Sequence, residues 1–132
     1  MPRWLVKTEP DSYAFADLVR DGTIEWDGIR NHAAARHLRA MAKGDAVLVY
    51  HSGSGKAAVG IARVTRTTRP DGEEGWVSVE LAAREPLPRA VTLAEMKAEP
   101  ALAAMAMLRQ LRLSVSPVSD AEWAAILHLA DS

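Results

Sequence analysis

The run Ala46-Val47-Leu48-Val49-Tyr50 constrains the fold more than any other feature. It is unbroken apolar surface, β-branched at Val47 and Val49. Gly44-Asp45 precedes it, and the Ser52-Gly53-Ser54-Gly55 loop follows closely. A segment this short between turn signals reads as a strand rather than a helix, and its continuous hydrophobicity requires cover on both faces. Two more strand patterns follow. Residues 57–68 form one, and residues 76–83 form the other, alternating at Val77, Val79 and Leu81. Pro70-Asp71-Gly72 supplies the turn between them. Pro86 and Pro88 are expected to end the third strand, because proline cannot donate to a ladder.

The flanks read as shorter elements. Trp4-Leu5-Val6 is a buried opening strand, and Thr8-Glu9-Pro10-Asp11-Ser12 is a turn. Ser12 is expected to cap a helix through Phe15 and Leu18 that ends near Gly22. Trp26-Asp27-Gly28 reads as a turn, and Asn31 as the cap of a helix over 32–42. Thr92 with Glu95, and Ser119 with Glu122, match the capping-box spacing, so helices should follow each. Between them Pro100 breaks the chain, a helix is expected over 101–111, and a short strand over 113–115. Strands do not alternate with long helices, so the class is α+β and β-rich rather than a doubly wound parallel sheet. The 132 residues fit a single domain, 1–132, with one buried core and no internal repeat or linker.

Composition removes several function classes. Cysteine is absent, which excludes thiol chemistry, disulfides and cysteine-held zinc. His32, His37 and His51 match no metal-ligand spacing, and neither a metal nor a cofactor is expected. Met1-Pro2-Arg3-Trp4 runs quickly into Lys7, Glu9 and Asp11, with no apolar core for a signal peptide, and no apolar run is long enough to span a membrane. A cytoplasmic protein is expected. Gly53-Ser54-Gly55-Lys56 lacks the earlier glycine of a phosphate loop, since Tyr50 occupies that position.

The formal net charge of −1 hides a local excess of base. From Gly28 to Arg66 the cations are Arg30, Arg36, Arg39, Lys43, Lys56, Arg63 and Arg66, against Asp45 alone. That segment is either an anion-binding face or a solvated helix face. Aromatics are uneven too, with four Trp beside two Tyr and one Phe. Trp76 and Trp123 occupy positions that read as core, and Trp4 fits either role. Trp26, beside Gly28-Ile29-Arg30-Asn31, is either a flat surface on which a base can stack or a plug at the core's edge. Arg30 and Asn31 at the helix start can hold a phosphate, and Asn31 can equally cap the helix. Tyr50-His51-Ser52 ends the central strand and can reach into a cleft, while His51 or Glu9 can serve as an acid–base group.

Five segments in order carry a resemblance. They are Trp4-Leu5-Val6-Lys7-Thr8-Glu9-Pro10, then Trp26-Asp27-Gly28-Ile29-Arg30-Asn31, then Gly44-Asp45 leading to Tyr50-His51-Ser52. Val59-Gly60-Ile61-Ala62 and Arg112-Leu113-Ser114-Val115-Ser116-Pro117-Val118 complete the set. Together they strongly resemble the EVE domain family of thymocyte nuclear protein-like proteins, which is similar to PUA and YTH domains. The resemblance implies a PUA-like pseudobarrel of about five to six mostly antiparallel strands with peripheral helices. It also implies a pocket for a modified base in DNA or RNA. Carried over by position, that pocket would draw on Lys7, Thr8, Glu9, Pro10, Trp26, Arg30, Asn31, Tyr50, His51 and Ser52, with Arg112 and Ser114 close by. Arg30, Arg36, Arg39 and Lys56 would meet phosphates. The family's helix usually continues from its asparagine as Tyr-Gln-Ala-Arg-Asn, where this chain has His32-Ala33-Ala34-Ala35-Arg36, so the pocket here is expected to be roomier or differently selective.

The leading reading is therefore a module that binds nucleic acid by capturing one nucleobase, and not an enzyme. The alternatives are a small enzyme on a modified nucleoside using Glu9 or His51, and a scaffold for a peptide or small metabolite.

Overall fold

The computed structural model describes residues 2–72 and 75–132. Six strands are formed among them: β1 (Arg3–Thr8), β2 (Thr23–Trp26), β3 (Ala46–His51), β4 (Ala57–Pro70), β5 (Val77–Thr92) and β6 (Val115–Val118). They make one sheet in the order β2-β5-β4-β3-β1-β6. Only the β1–β3 pairing is parallel, and the other neighbours are antiparallel. Five helices border the sheet: α1 (Phe15–Asp21), α2 (His32–Ala40), α3 (Leu93–Ala98), α4 (Ala106–Arg109) and α5 (Asp120–Ala130). The architecture is the α+β, PUA-like one that the sequence implies.

Strand alternation divides the interior in two. Trp4 and Val6 of β1 and Val47 and Val49 of β3 face a core shared with Phe15, Leu18, Trp26 and Leu38. Leu5, Leu48 and Tyr50 face the opposite side, against Met96, Leu102, Met105, Met107, Trp123 and Ile126. The continuous apolar run in β3 is thus covered on both faces, by α1 and α2 on one and by α3 to α5 on the other. The Trp4 indole N–H donates to the buried Asp45 carboxylate at 3.0 Å, and the same oxygen accepts from the Ala42 N–H at 2.8 Å. Both capping boxes form as read.

Several expectations are corrected. Pro86 and Pro88 do not end β5, which continues to Thr92. Among the described residues no second strand pairs with β5 beyond Ala82, because β2 reaches only from Ala82 to Val79. That stretch is a sheet edge, where a missing N–H leaves no ladder bond unmade, and register shifts on β4 at Ala58/Gly60 and Ile61/Ala62 absorb the irregularity. Trp26 is not in a turn but is the last residue of β2, and the chain turns at Gly28, where φ is +76°. Ser12 does not cap α1. The cap is Ala14, whose N–H donates to the Asp17 carboxylate at 2.8 Å.

The helix expected over 101–111 is broken into a 3-10 turn at Pro100–Leu102 and the short α4. Met105 and Met107 are both fully buried, and two residues apart they would lie on opposite sides of a continuous helix. The last strand begins at Val115, later than expected. Trp123 is core, at 8% exposure. Trp76 is not core. It is half-buried and stacks on His32 at 4.8 Å between ring centroids, with the Arg30 guanidinium 5.5 Å from its ring.

Candidate nucleobase pocket

The ends of β1 and β2 meet beside the loop that enters α1. Lys7 and Thr8 of β1, Tyr13 of the loop, and Ile24, Glu25 and Trp26 of β2 line a cavity of about 300 Å³. Asp27 and Ile29, just past β2, form its lip. Pockets for small ligands run from roughly 300 to 1,000 Å³, so this one lies at the small end of that range.

Each wall has a physical cause. Trp26 is 8% exposed and belongs to the core cluster, as a plug at the core's edge would, and it also lines the cavity. The Thr8 hydroxyl donates to the Tyr13 carbonyl at 2.7 Å, which fixes the entering loop. The Tyr13 hydroxyl donates to Asp21 at 2.9 Å; burial, then the carboxylate beside it, push its pKa up to about 12. The Lys7 ammonium donates to the Leu111 carbonyl at 2.5 Å and lies 5.9 Å from the Tyr50 ring, and burial pulls its pKa down. Glu25 accepts a two-pronged contact from Arg66 at 2.7 and 2.5 Å, accepts from the Ser78 hydroxyl, and lies 3.3 Å from Arg69. These donors, Arg66 foremost, hold its pKa down at about 2, so it stays ionised and paired.

The other expected pocket residues lie around this cavity rather than in its lining. Glu9 and Pro10 form the adjoining turn, where the Glu9 carbonyl accepts from the Ser12 and Tyr13 amides at 3.0 and 2.9 Å. Ser52 and Ser114 brace β1 through the main chain. The Ser52 amide donates to the Thr8 carbonyl, and the Ser114 carbonyl accepts from the Lys7 amide, both at 2.9 Å. Tyr50 is buried in the opposite core, with Lys7 reaching it from the cavity. Asn31 caps α2 by accepting from the Ala34 N–H at 2.9 Å. Arg112 is exposed on the turn before β6.

His51 has its lone pair occupied, since Nε2 accepts from the Phe15 N–H at 3.0 Å. Burial lowers its pKa, and a protonated ring would lose that acceptor. A depressed folded pKa means stability that is complete above the ordinary value near 6.5 and lost as pH falls through the folded value. Urea unfolding at pH 7.5 and pH 5 is therefore expected to show an acid loss that His51→Gln reduces. An identical loss in the variant would assign it to other groups.

The basic residues divide between two faces. Arg30 donates to the Asp71 carboxylate at 3.1 Å and to the Asp71 carbonyl at 3.2 Å. The same carboxylate accepts from the Gly28 N–H at 2.9 Å, and these donors, Gly28 first, lower its pKa. Arg39 donates to the Gly75 carbonyl, and Arg36 is exposed. His32, Arg36 and Arg39 share one face of α2 at helical spacing. Lys56 is elsewhere, beside Thr92 and Lys97 at a second hollow.

Sequence reasoning missed Tyr13, Ile24, Glu25, Asp27 and Ile29. The alternation of Ile24 and Trp26 across Glu25 was the available signal for a strand there. Among the described residues no cluster of three or more His, Cys, Asp or Glu can hold a metal, and no helix is long and apolar enough to cross a membrane.

The EVE domain profile matches residues 2–129. Thymocyte nuclear protein 1 of Homo sapiens is 27% identical over 165 residues, covering 97% of this chain and 73% of that protein. The solution structure of Rpa0253 from Rhodopseudomonas palustris superposes with a TM-score of 0.94 at 42% identity, covering 99% of this chain and 94% of that one. Human THYN1 solved in complex with 5-methylcytosine-containing DNA superposes with a TM-score of 0.94 at 25% identity, covering 100% of this chain and 99% of that one.

Proposed function

The chain belongs to the EVE domain family, and from that premise we propose that it binds DNA by drawing one modified base, a modified cytosine first among them, into the Trp26 cavity. The observation that carries this reading is the cavity of about 300 Å³ with an indole on one wall and Lys7 and Thr8 on another. Its support from outside the chain is the human relative solved on methylated DNA, which shares the fold over the whole length. The base would stack on Trp26, with main-chain groups of the β1 end and the lip offering hydrogen bonds to its edge. Stacking on an aromatic contributes about 1–3 kcal/mol per base.

Phosphates beside the captured base would run along the α2 face that carries His32, Arg36 and Arg39. Arg30 would exchange Asp71 for phosphate at the lip. Binding through such contacts weakens steeply with salt. His51, whose acceptor nitrogen already takes the Phe15 N–H, gives a base-processing enzyme little to work with.

The test is fluorescence anisotropy with otherwise identical oligonucleotides carrying cytosine, 5-methylcytosine, 5-hydroxymethylcytosine or N6-methyladenine. At least one modified form is expected to bind more tightly than the plain one, and no preference for any of them sinks the reading. Trp26→Leu, which keeps apolar volume in the core, is expected to weaken the preferred complex about tenfold. Unchanged affinity in a folded Trp26→Leu protein would remove the stacking role.

A further inference from the structure

A second feature beside the cavity deepens this reading and rests on it. Arg109, Gln110, Leu111 and Arg112 are consecutive and all exposed. Leu111 is 51% exposed, unusual for a large apolar side chain in this protein. A lone exposed leucine is ordinary. This one is set between two arginines, in a stretch with no acid from Pro100 to Ser119. It is also fixed in place. Its carbonyl accepts from the Lys7 ammonium at 2.5 Å, and Lys7 is part of the cavity wall. The Leu113 amide donates to the Gln110 carbonyl at 3.0 Å, and the buried Met107 and Leu113 anchor the segment at each end. The segment is thus a short, basic turn hydrogen-bonded to Lys7, a residue of the cavity wall, with an exposed apolar side chain among its arginines.

Taking a base out of a duplex leaves a gap in the stack and an unpaired partner. Apolar side chains inserted between base steps are a known way for a protein to occupy an opened stack. We propose that Leu111 is that wedge. As a base of duplex DNA enters the Trp26 cavity, Leu111 occupies the space it vacates. Gln110, which has both a donor and an acceptor, meets the edge of the orphaned base, while Arg109 and Arg112 meet the phosphates on either side. This makes double-stranded DNA the partner. A single strand has no gap to fill and no orphan to hold.

The discriminating experiment compares a short duplex containing one 5-methylcytosine with the same modified strand alone, using wild-type protein, Leu111→Ala and Leu111→Met. The site is exposed, so both variants should fold. Leu111→Ala is expected to bind the duplex about tenfold more weakly and the strand unchanged, with Leu111→Met retaining duplex affinity. A 2-aminopurine next to the modified base should brighten on binding of wild-type protein and stay dark with Leu111→Ala. Equal affinity of wild type and Leu111→Ala for the duplex, or equal losses on duplex and strand, overturns the wedge and leaves base capture standing. Wild-type protein that holds neither probe overturns both.

Discussion

Gly60→Ala is expected to cost roughly 3 kcal/mol of folding stability, at the upper end of what overpacking a core usually costs. A Cβ at Gly60 would sit 2.4 to 2.5 Å from the end of the Phe15 ring, closer than atoms in contact ever stand. The ring cannot swing aside, because Phe15 is 6% exposed and belongs to the core beneath α1. Relief therefore requires α1 to lift from β4, which stretches the Phe15 N–H from His51 and disturbs the loop that positions Tyr13. Urea unfolding monitored by far-UV circular dichroism measures the loss. Phe15→Leu in the Gly60→Ala background should recover part of it. A Gly60→Ala protein within 0.5 kcal/mol of wild type would show that the helix shifts at little cost.

The second large effect is expected at Asp45. Its carboxylate is 1% exposed and accepts from both the Trp4 indole and the Ala42 amide through one oxygen. Asp45→Ala strands the buried Trp4 indole, which costs about 1–3 kcal/mol, and removes the partner of the Ala42 amide, which lies on an exposed residue, so a loss of about 2–3 kcal/mol follows. Asp45→Asn keeps an oxygen that can take both hydrogens and should lose much less. The near-ultraviolet dichroism of Trp4 reports the same bond. Equal losses for the alanine and asparagine variants would mean that charge, and not hydrogen bonding, is what this residue provides.

These two residues show how far the sequence could be read. Local periodicity located β3, β4 and the start of β5, because alternation and β-branching act within a few residues. Asn31, Thr92 and Ser119 announced their helices for the same reason, since a cap and its partner are neighbours in the chain. The errors came where a distant partner decides. Pro86 and Pro88 break a central strand and are harmless on an edge, and only the short reach of β2 makes that stretch an edge. Met105 and Met107 are both buried because the chain kinks, which the residues themselves do not state. Trp76 looked like core from its place in an alternating run, yet it lies at the start of a long hairpin, where its neighbours are His32 and Arg30.

The cavity was partly legible. Lys7, Thr8 and Trp26 line it, while Tyr50, His51 and Ser52 hold the elements around it. The missing wall was β2, four residues long and half polar.

The bond between Asp71 and Gly28 bears on how the mouth of the cavity can open. The floor of the cavity is made largely of strand residues, Lys7 and Thr8 of β1 and Ile24 to Trp26 of β2, held by ladder bonds. The lip is different. Asp27, Gly28 and Ile29 are tied to Asp71, more than 40 residues further along the chain, by the Gly28 N–H and by the Arg30 guanidinium next to Ile29, which meets both the carboxylate and the carbonyl. Floor and lip are therefore held by different kinds of contact, sheet ladders in one case and side-chain bonds to Asp71 in the other. Breaking the Asp71 contacts would loosen the lip while leaving the floor's ladder bonds in place, so the width of the mouth and the shape of the floor can change independently.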